Sequence, residues 1–121
     1  NADGGTRTAS ITGGWITLKI LIDTLLKDKV LKSNPIINQI AAISCGIYKG
    51  VEIIDLDYDE DSEAETDANF VISRSKNLIE IQATAEKNHF NKKQLDNMLN
   101  LTFSKTDNLF VAQDKIIANK K

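Results

Sequence analysis

The sequence predicts an α+β domain of two layers. It has a four-stranded, mostly antiparallel sheet, a long N-terminal helix, a short acidic helical turn and a long C-terminal helix. Three observations lead to that class. Apolar residues recur at helical spacing over residues 6–29 and again from about Lys92. Between these stretches lie four β-leaning runs separated by turn signals. The chain has 121 residues, 41% of them hydrophobic and 26% charged, which is one domain's worth of an ordinary globular mixture.

Each element has its own warrant. Residues 1–5 are small and polar and end on Gly4-Gly5. Ile11, Trp15, Leu18, Ile22 and Leu25 then follow spacings of four, three, four and three, and Ile16, Ile20, Leu21 and Leu26 widen the stripe. A helix of this kind is expected to be buried over much of its surface. Gly13-Gly14 inside it reads as a mark of close packing. The helix should be over by Lys32-Ser33-Asn34-Pro35, because a proline disfavours a helical residue before it. Residues 36–48 read as a strand, Lys49-Gly50 as a hairpin turn, and Val51 to Leu56 as the second strand. An acidic stretch, 58–66, has room for one or two helical turns. Strands over 67–74 and 77–84 flank a turn at Arg74-Ser75-Lys76-Asn77. In the last helix Leu95, Leu99, Thr102, Thr106, Leu109, Gln113 and Ile116 share one face.

Charge and rare residues exclude several function classes. The net charge is −2, with thirteen Lys and only two Arg, which argues against gripping nucleic acid through net charge alone. Cys45 is the only cysteine, so no intrachain disulfide forms, as suits a reducing cytoplasm. His89 is the only histidine, so a histidine-based catalytic triad or a zinc site would have to recruit it. His89 reads as part of an exposed turn, Cys45 and Trp15 as core. The apolar runs are only a few residues long, so no membrane span is expected. No basic segment followed by an apolar one opens the chain. The chain begins Asn1-Ala-Asp-Gly-Gly and its only methionine is Met98, which reads as a processed product or a fragment.

Two constellations carry chemistry. Gly4-Gly5-Thr6-Arg7 opens the long helix, where unpaired backbone N–H groups and the positive end of the helix dipole favour an anion. Glycine permits close approach, Thr6 adds a hydroxyl, and Arg7 adds a fork of donors matched to phosphate oxygens. The Gly-Lys-Ser/Thr element of a Walker loop is absent. A loop, a cap and a surface charge would look the same. The second constellation is the acidic run from Asp55 to Asp67, with eight carboxylates. Oxygen-only ligands suit a hard ion such as magnesium or calcium. An EF-hand fails, because Glu60 stands where its turn glycine is required and Thr66 where its last glutamate is. A solvated acidic loop is the plain alternative.

Taken in order, these segments resemble the ribonuclease PH family. The carrying motifs are Asn1-Ala-Asp-Gly-Gly-Thr-Arg-Thr-Ala-Ser-Ile-Thr-Gly13, Lys32-Ser-Asn-Pro35, Ala41-Ala-Ile-Ser-Cys-Gly46, Asp55-Leu-Asp-Tyr58, Glu60-Asp-Ser-Glu-Ala-Glu-Thr-Asp67 and Ile79-Glu-Ile-Gln-Ala-Thr-Ala-Glu86. The resemblance implies a ribonuclease PH-like fold and a phosphorolytic 3′→5′ exoribonuclease. Such an enzyme trims tRNA 3′ ends with inorganic phosphate as co-substrate and releases nucleoside diphosphates. By motif, Gly5, Thr6 and Arg7 correspond to phosphate-binding residues. Asp61 and Asp67 correspond to catalytic carboxylates that bind Mg2+. Ala83 replaces the usual glycine of its motif.

Family members are about twice this long, so the resemblance implies a C-terminal half. Residues 1–33 would end the first domain and 34–121 would form the second. The partners implied are RNA, the missing N-terminal half and a homo-hexameric ring built as a trimer of dimers, with no membrane. Without the other half, the apolar stripe of the first helix would stay partly uncovered. Two further readings stand beside this one. One is an inactive split or degenerate remnant acting as a binding or structural subunit. The other is a magnesium- or calcium-binding module that rests on the acidic run alone.

Overall fold

A computed structural model of the chain describes residues 6–54 and 64–120. The elements in order are α1 (Thr6–Lys27), β1 (Ile40–Tyr48), β2 (Val51–Ile54), β3 (Thr66–Ser73), β4 (Leu78–Ala85) and α2 (Lys92–Asn119). All strand pairs are antiparallel and the sheet order is β2-β1-β3-β4. The predicted α+β class and element order therefore hold. The proposed acidic helical turn falls largely on residues outside the described set.

The hairpin between β1 and β2 forms as its turn residues dictate. Lys49 and Gly50 have φ of 51° and 78°, the double left-handed geometry of a two-residue hairpin loop. The β3–β4 turn needs one such residue, Lys76, at φ 71°. Strand β1 starts at Ile40 rather than at 36. Asn34 Oδ1 accepts the backbone N–H of Ile36, a local turn that holds the segment after Pro35 out of the ladder.

The two faces of the sheet differ in chemistry. On one, Cys45, Ile47, Ala68 and Phe70 pack with Met98 of α2, and Ala83, Phe90, Leu95 and Leu99 close around them. Burying each large side chain there contributes about 1.5–3 kcal/mol. Helix α2 begins on a capping box, in which Asn91 Oδ1 accepts the Gln94 N–H and Gln94 Oε1 accepts the Asn91 N–H. Its buried face is Met98, Thr102, Thr106, Phe110, Gln113 and Ile117. That face is rotated from the expected stripe, for Leu109 is half-buried and Ile116 is exposed. Both stripes satisfy the helical period, and the packing partner chose between them.

Helix α1 departs further from expectation. Its buried residues are Thr8, Trp15 and Ile22, while Leu18 and Leu21 are exposed. It is not buried over much of its surface, and a Cβ added at Gly13 or Gly14 would meet nothing within 4 Å. Within this chain the glycine pair therefore marks no close approach. By length and composition α1, with its 22 residues, is also long and apolar enough to cross a membrane. The short apolar runs hid this, because scattered threonines and glycines lower the mean hydropathy little. Here α1 packs on β1 and α2 through polar contacts. Trp15 Nε1 donates to the Asn38 carbonyl at 2.9 Å, and Thr12 Oγ1 bonds to the backbone of Ala42.

Candidate phosphate and metal site

The second face of the sheet carries the polar residues. Side chains alternate along a strand. Cys45, Ile47, Ala68 and Phe70 point toward α2, so Ser44 and Gly46 of β1 and Asp67 and Asn69 of β3 look the other way. On β4 the same alternation sets Glu80, Gln82 and Thr84 on that face, since Ala83 packs with the α2 cluster. The register aligns Ser44 with Asn69, Asn69 with Gln82, and Asp67 with Gly46 on one side and Thr84 on the other.

The first turn of α1 comes to this face. Arg7 Nη2 lies 2.6 Å from Glu80 Oε1 in an ion pair that joins α1 to β4. Both side chains are partly exposed, so the pair is worth no more than about 1 kcal/mol, and its role is to fix where the guanidinium sits. An arginine has five donors, so others remain for an anion. No acidic residue occupies the first turn of α1, where the positive end of the helix dipole favours an anion. Ser10 Oγ donates to the Thr6 carbonyl within that turn. Thr6 and Arg7 are exposed, while Thr8 is buried.

Asp67 is half-buried at the second position of β3. Glu80 stands four residues along β4 from Thr84, the cross-strand partner of Asp67, or about 13–14 Å of strand. Thr6, Arg7 and Asp67 thus belong to one side of the sheet, with Arg7 anchored some way from the carboxylate. Gly5 and Asp61 lie outside the described residues. Among the described residues, no three His, Cys, Asp or Glu come together as a metal site.

Glu65 closes the β1–β2 hairpin against β3. Its Oε1 accepts the Gly50 N–H at 2.9 Å and its Oε2 accepts from Asn88 Nδ2 at 2.8 Å. The Asn88 amide and the Gly50 N–H hold its carboxyl below the usual carboxylate range. Glu65 is therefore tied into the fold and is no free member of the acidic run. His89 is exposed, Cys45 is fully buried and Trp15 is buried, as the sequence predicted.

Three polar residues of this face escaped the sequence reading as site residues: Ser44, Asn69 and Glu80. A signal for one existed. In Thr66-Asp67-Ala68-Asn69-Phe70 polar and apolar residues alternate, which puts Asp67 and Asn69 on one face of a strand. No comparable signal marks Glu80, whose partner is seventy-three positions away.

Comparison with known proteins agrees with this architecture. Residues 38–105 match the model of the 3′ exoribonuclease family, domain 2. Ribonuclease PH from Caulobacter vibrioides, strain NA1000 / CB15N, is 47% identical over 112 residues, and the ribonuclease PH of strain ATCC 19089 / CIP 103742 / CB 15 gives the same values. The match covers 93% of this chain and 47% of each relative, so the chain spans about half their length. A crystal structure of rice (Oryza sativa) Rrp46 shares the fold at a TM-score of 0.59 and 15% identity, over 67% of this chain and 38% of that one. The chain belongs to the ribonuclease PH family, a family of phosphorolytic 3′→5′ exoribonucleases, and corresponds to its C-terminal half.

Proposed function

We propose that this chain is the C-terminal half of a phosphorolytic nucleotidyltransferase that trims RNA, tRNA 3′ ends above all, and releases nucleoside diphosphates. Residues 1–33 are then the end of the first domain and 34–121 the second. The observation that carries the reading is Arg7. It sits in the first turn of a helix, a turn that carries no acidic residue, on the sheet face that also bears Asp67.

The chemistry asks for two things. Attacking phosphate and scissile phosphodiester are both anions, so they must be held together against repulsion. The backbone N–H groups at Gly5 and Thr6 and the Arg7 guanidinium bind the attacking phosphate and aim one oxygen at the terminal phosphorus. Glu80 keeps the guanidinium in place until phosphate competes for its donors. Asp61 and Asp67 are the carboxylates that hold Mg2+. On the face that bears Asp67, two buried oxygen atoms lack partners, Ser44 Oγ and Asn69 Oδ1, which fits a hard hydrated cation. When bound, the ion neutralises charge that develops on the phosphoryl oxygens. No histidine is needed for proton transfer, because phosphate brings its own ionised nucleophile.

The N-terminal half, a hexameric ring and a cytoplasmic setting complete the proposal. The experiment combines this chain with an N-terminal half of ribonuclease PH and measures nucleoside diphosphate release from RNA against phosphate concentration. Arg7→Ala should raise the phosphate requirement and Asp67→Asn should abolish turnover. If the paired halves release nothing while still associating, the chain is a structural subunit. If Asp61→Asn or Arg7→Ala leaves the rate unchanged, the site assignment is wrong.

A further inference from the structure

Two buried groups on the polar face of the sheet find no hydrogen-bond partner within the fold. Ser44 is fully buried, and its Oγ has no hydrogen-bond partner. Asn69 Oδ1 is also buried and also has none. These residues are directly opposed across β1 and β3, which sets their Cβ atoms about 4.5–5.5 Å apart. Ser44 Oγ has a proton to give and Asn69 Oδ1 has lone pairs to receive it, yet no bond joins them. Folding has stripped both atoms of water, which destabilises the native state unless a donor arrives from elsewhere. Thr66 Oγ1 is unpartnered too, but it points to the apolar face and belongs to a different problem.

The location narrows the missing donor. Asn69 is two residues from Asp67 on the same strand, so both side chains leave the sheet on one face. A phosphate oxygen is an acceptor and would be repelled by Asn69 Oδ1. A water molecule bound to a divalent cation is a strong donor, and magnesium keeps several of its waters when it binds a protein. We infer that Asn69 Oδ1 and Ser44 Oγ accept hydrogen bonds from the waters of a divalent cation held at Asp67. They act as positioning residues for that hydrated ion. The inference rests on Asp67 as a metal ligand and adds the two residues that orient the ion beyond it.

The test uses Mn2+ as the probe, titrated into the 121-residue chain and followed by the electron paramagnetic resonance signal of free Mn2+. Thermal unfolding without metal is measured in parallel. Asn69→Leu should weaken Mn2+ binding roughly 10–100-fold, the usual range for a lost outer-shell partner, and Ser44→Ala should weaken it in the same direction. Both variants should keep or raise the metal-free Tm, because each removes an unpartnered buried atom. Asp67→Asn should remove Mn2+ binding. If Asp67→Asn does so while both other variants bind as the parent does, the inference falls and the metal reading of Asp67 stands. If Asp67→Asn binds Mn2+ normally, that reading falls and takes the inference with it. A loss of Mn2+ affinity seen only together with a lowered metal-free Tm would assign the two residues to the fold and overturn the inference.

Discussion

The Thr12 hydroxyl makes both of its hydrogen bonds to a single residue. Its Oγ1 accepts the Ala42 N–H at 3.0 Å and donates to the Ala42 carbonyl at 3.4 Å. Strand β2 pairs with β1 only from Cys45 onward, so the earlier part of β1 has an open edge. Three side chains close it. Trp15 Nε1 takes the Asn38 carbonyl, Gln113 Nε2 takes the Ile40 carbonyl, and Thr12 takes Ala42. These are alternate residues, as the alternation of backbone groups along an edge requires. Thr12→Val keeps the shape and removes both bonds. It should cost about 1–3 kcal/mol, because two strand groups are left unpaired in a site shielded from water, and chemical denaturation would measure it.

Arg74 gives a pH prediction at the same scale. Its Nη1 donates to Asp114 Oδ2 at 2.6 Å and to Gln39 Oε1 at 2.8 Å, tying the β3–β4 turn to α2. The Arg74 hydrogen bond, helped by Gln39 and by the Arg74 charge, holds the Asp114 carboxyl below its ordinary value of 3.8, against a smaller opposing effect of burial. A depressed carboxyl stabilises the fold fully above its unfolded pKa, and the contribution is lost as pH falls through the folded one. The pair is half-exposed and screened, so the loss is about 1 kcal/mol at most. Unfolding free energies measured between pH 6 and pH 2 should therefore fall less steeply for Asp114→Asn than for the parent.

At the scale of elements, the end of α1 shows a rule kept with an unusual residue. The Lys29 N–H donates to Leu26 O and the Val30 N–H to Leu25 O, the paired bonds of a Schellman motif. The motif needs a left-handed residue, usually glycine, and here it is Lys29 at φ 61°. Lys29→Gly should raise stability by about 1 kcal/mol, the strain a side chain adds in that region, less the chain entropy glycine brings to the unfolded state. A fall in the denaturation midpoint would show that the Lys29 side chain contributes packing of its own. The helices, strands and turns were legible because periods of 3.6 and 2 are local properties of the chain. The helix faces were less so. In α2 the expected stripe at 95, 99, 102, 106, 109, 113 and 116 and the buried one at 98, 102, 106, 110, 113 and 117 overlap, sharing Thr102, Thr106 and Gln113. Met98 anchors the second on Cys45, Ile47, Ala68 and Phe70, where Leu95 and Leu99 pack at the rim, and Gln113 ties it to the Ile40 carbonyl.

On the scale of the whole molecule, the chain leaves apolar surface open. Trp15, Leu18 and Ile22 of α1 form an apolar groove of about 440 Å³ with Pro35, Ile36 and Ile37, and Ile37 is 90% exposed. Leu78, Ile79 and Ile81 add exposed area on the edge strand β4. Surface of this kind invites association. The chain alone should bind a hydrophobic dye such as ANS and sediment as more than a monomer. Pairing with an N-terminal half should suppress the dye signal. A monomer that binds no dye would mean that these faces close on themselves in solution.

By itself the sequence determined the α+β class, the order of elements and the family, with the motif residues Gly5, Thr6, Arg7, Asp61 and Asp67 as the expected site. Those properties are written in local periodicity and short motifs, which need no partner to be read. Only the tertiary structure decided which residues meet. It set Arg7 on Glu80, placed Ser44 opposite Asn69 beside Asp67, and left α1 half uncovered. Strand pairing brings together residues far apart in the chain, and a side chain's environment comes from those neighbours.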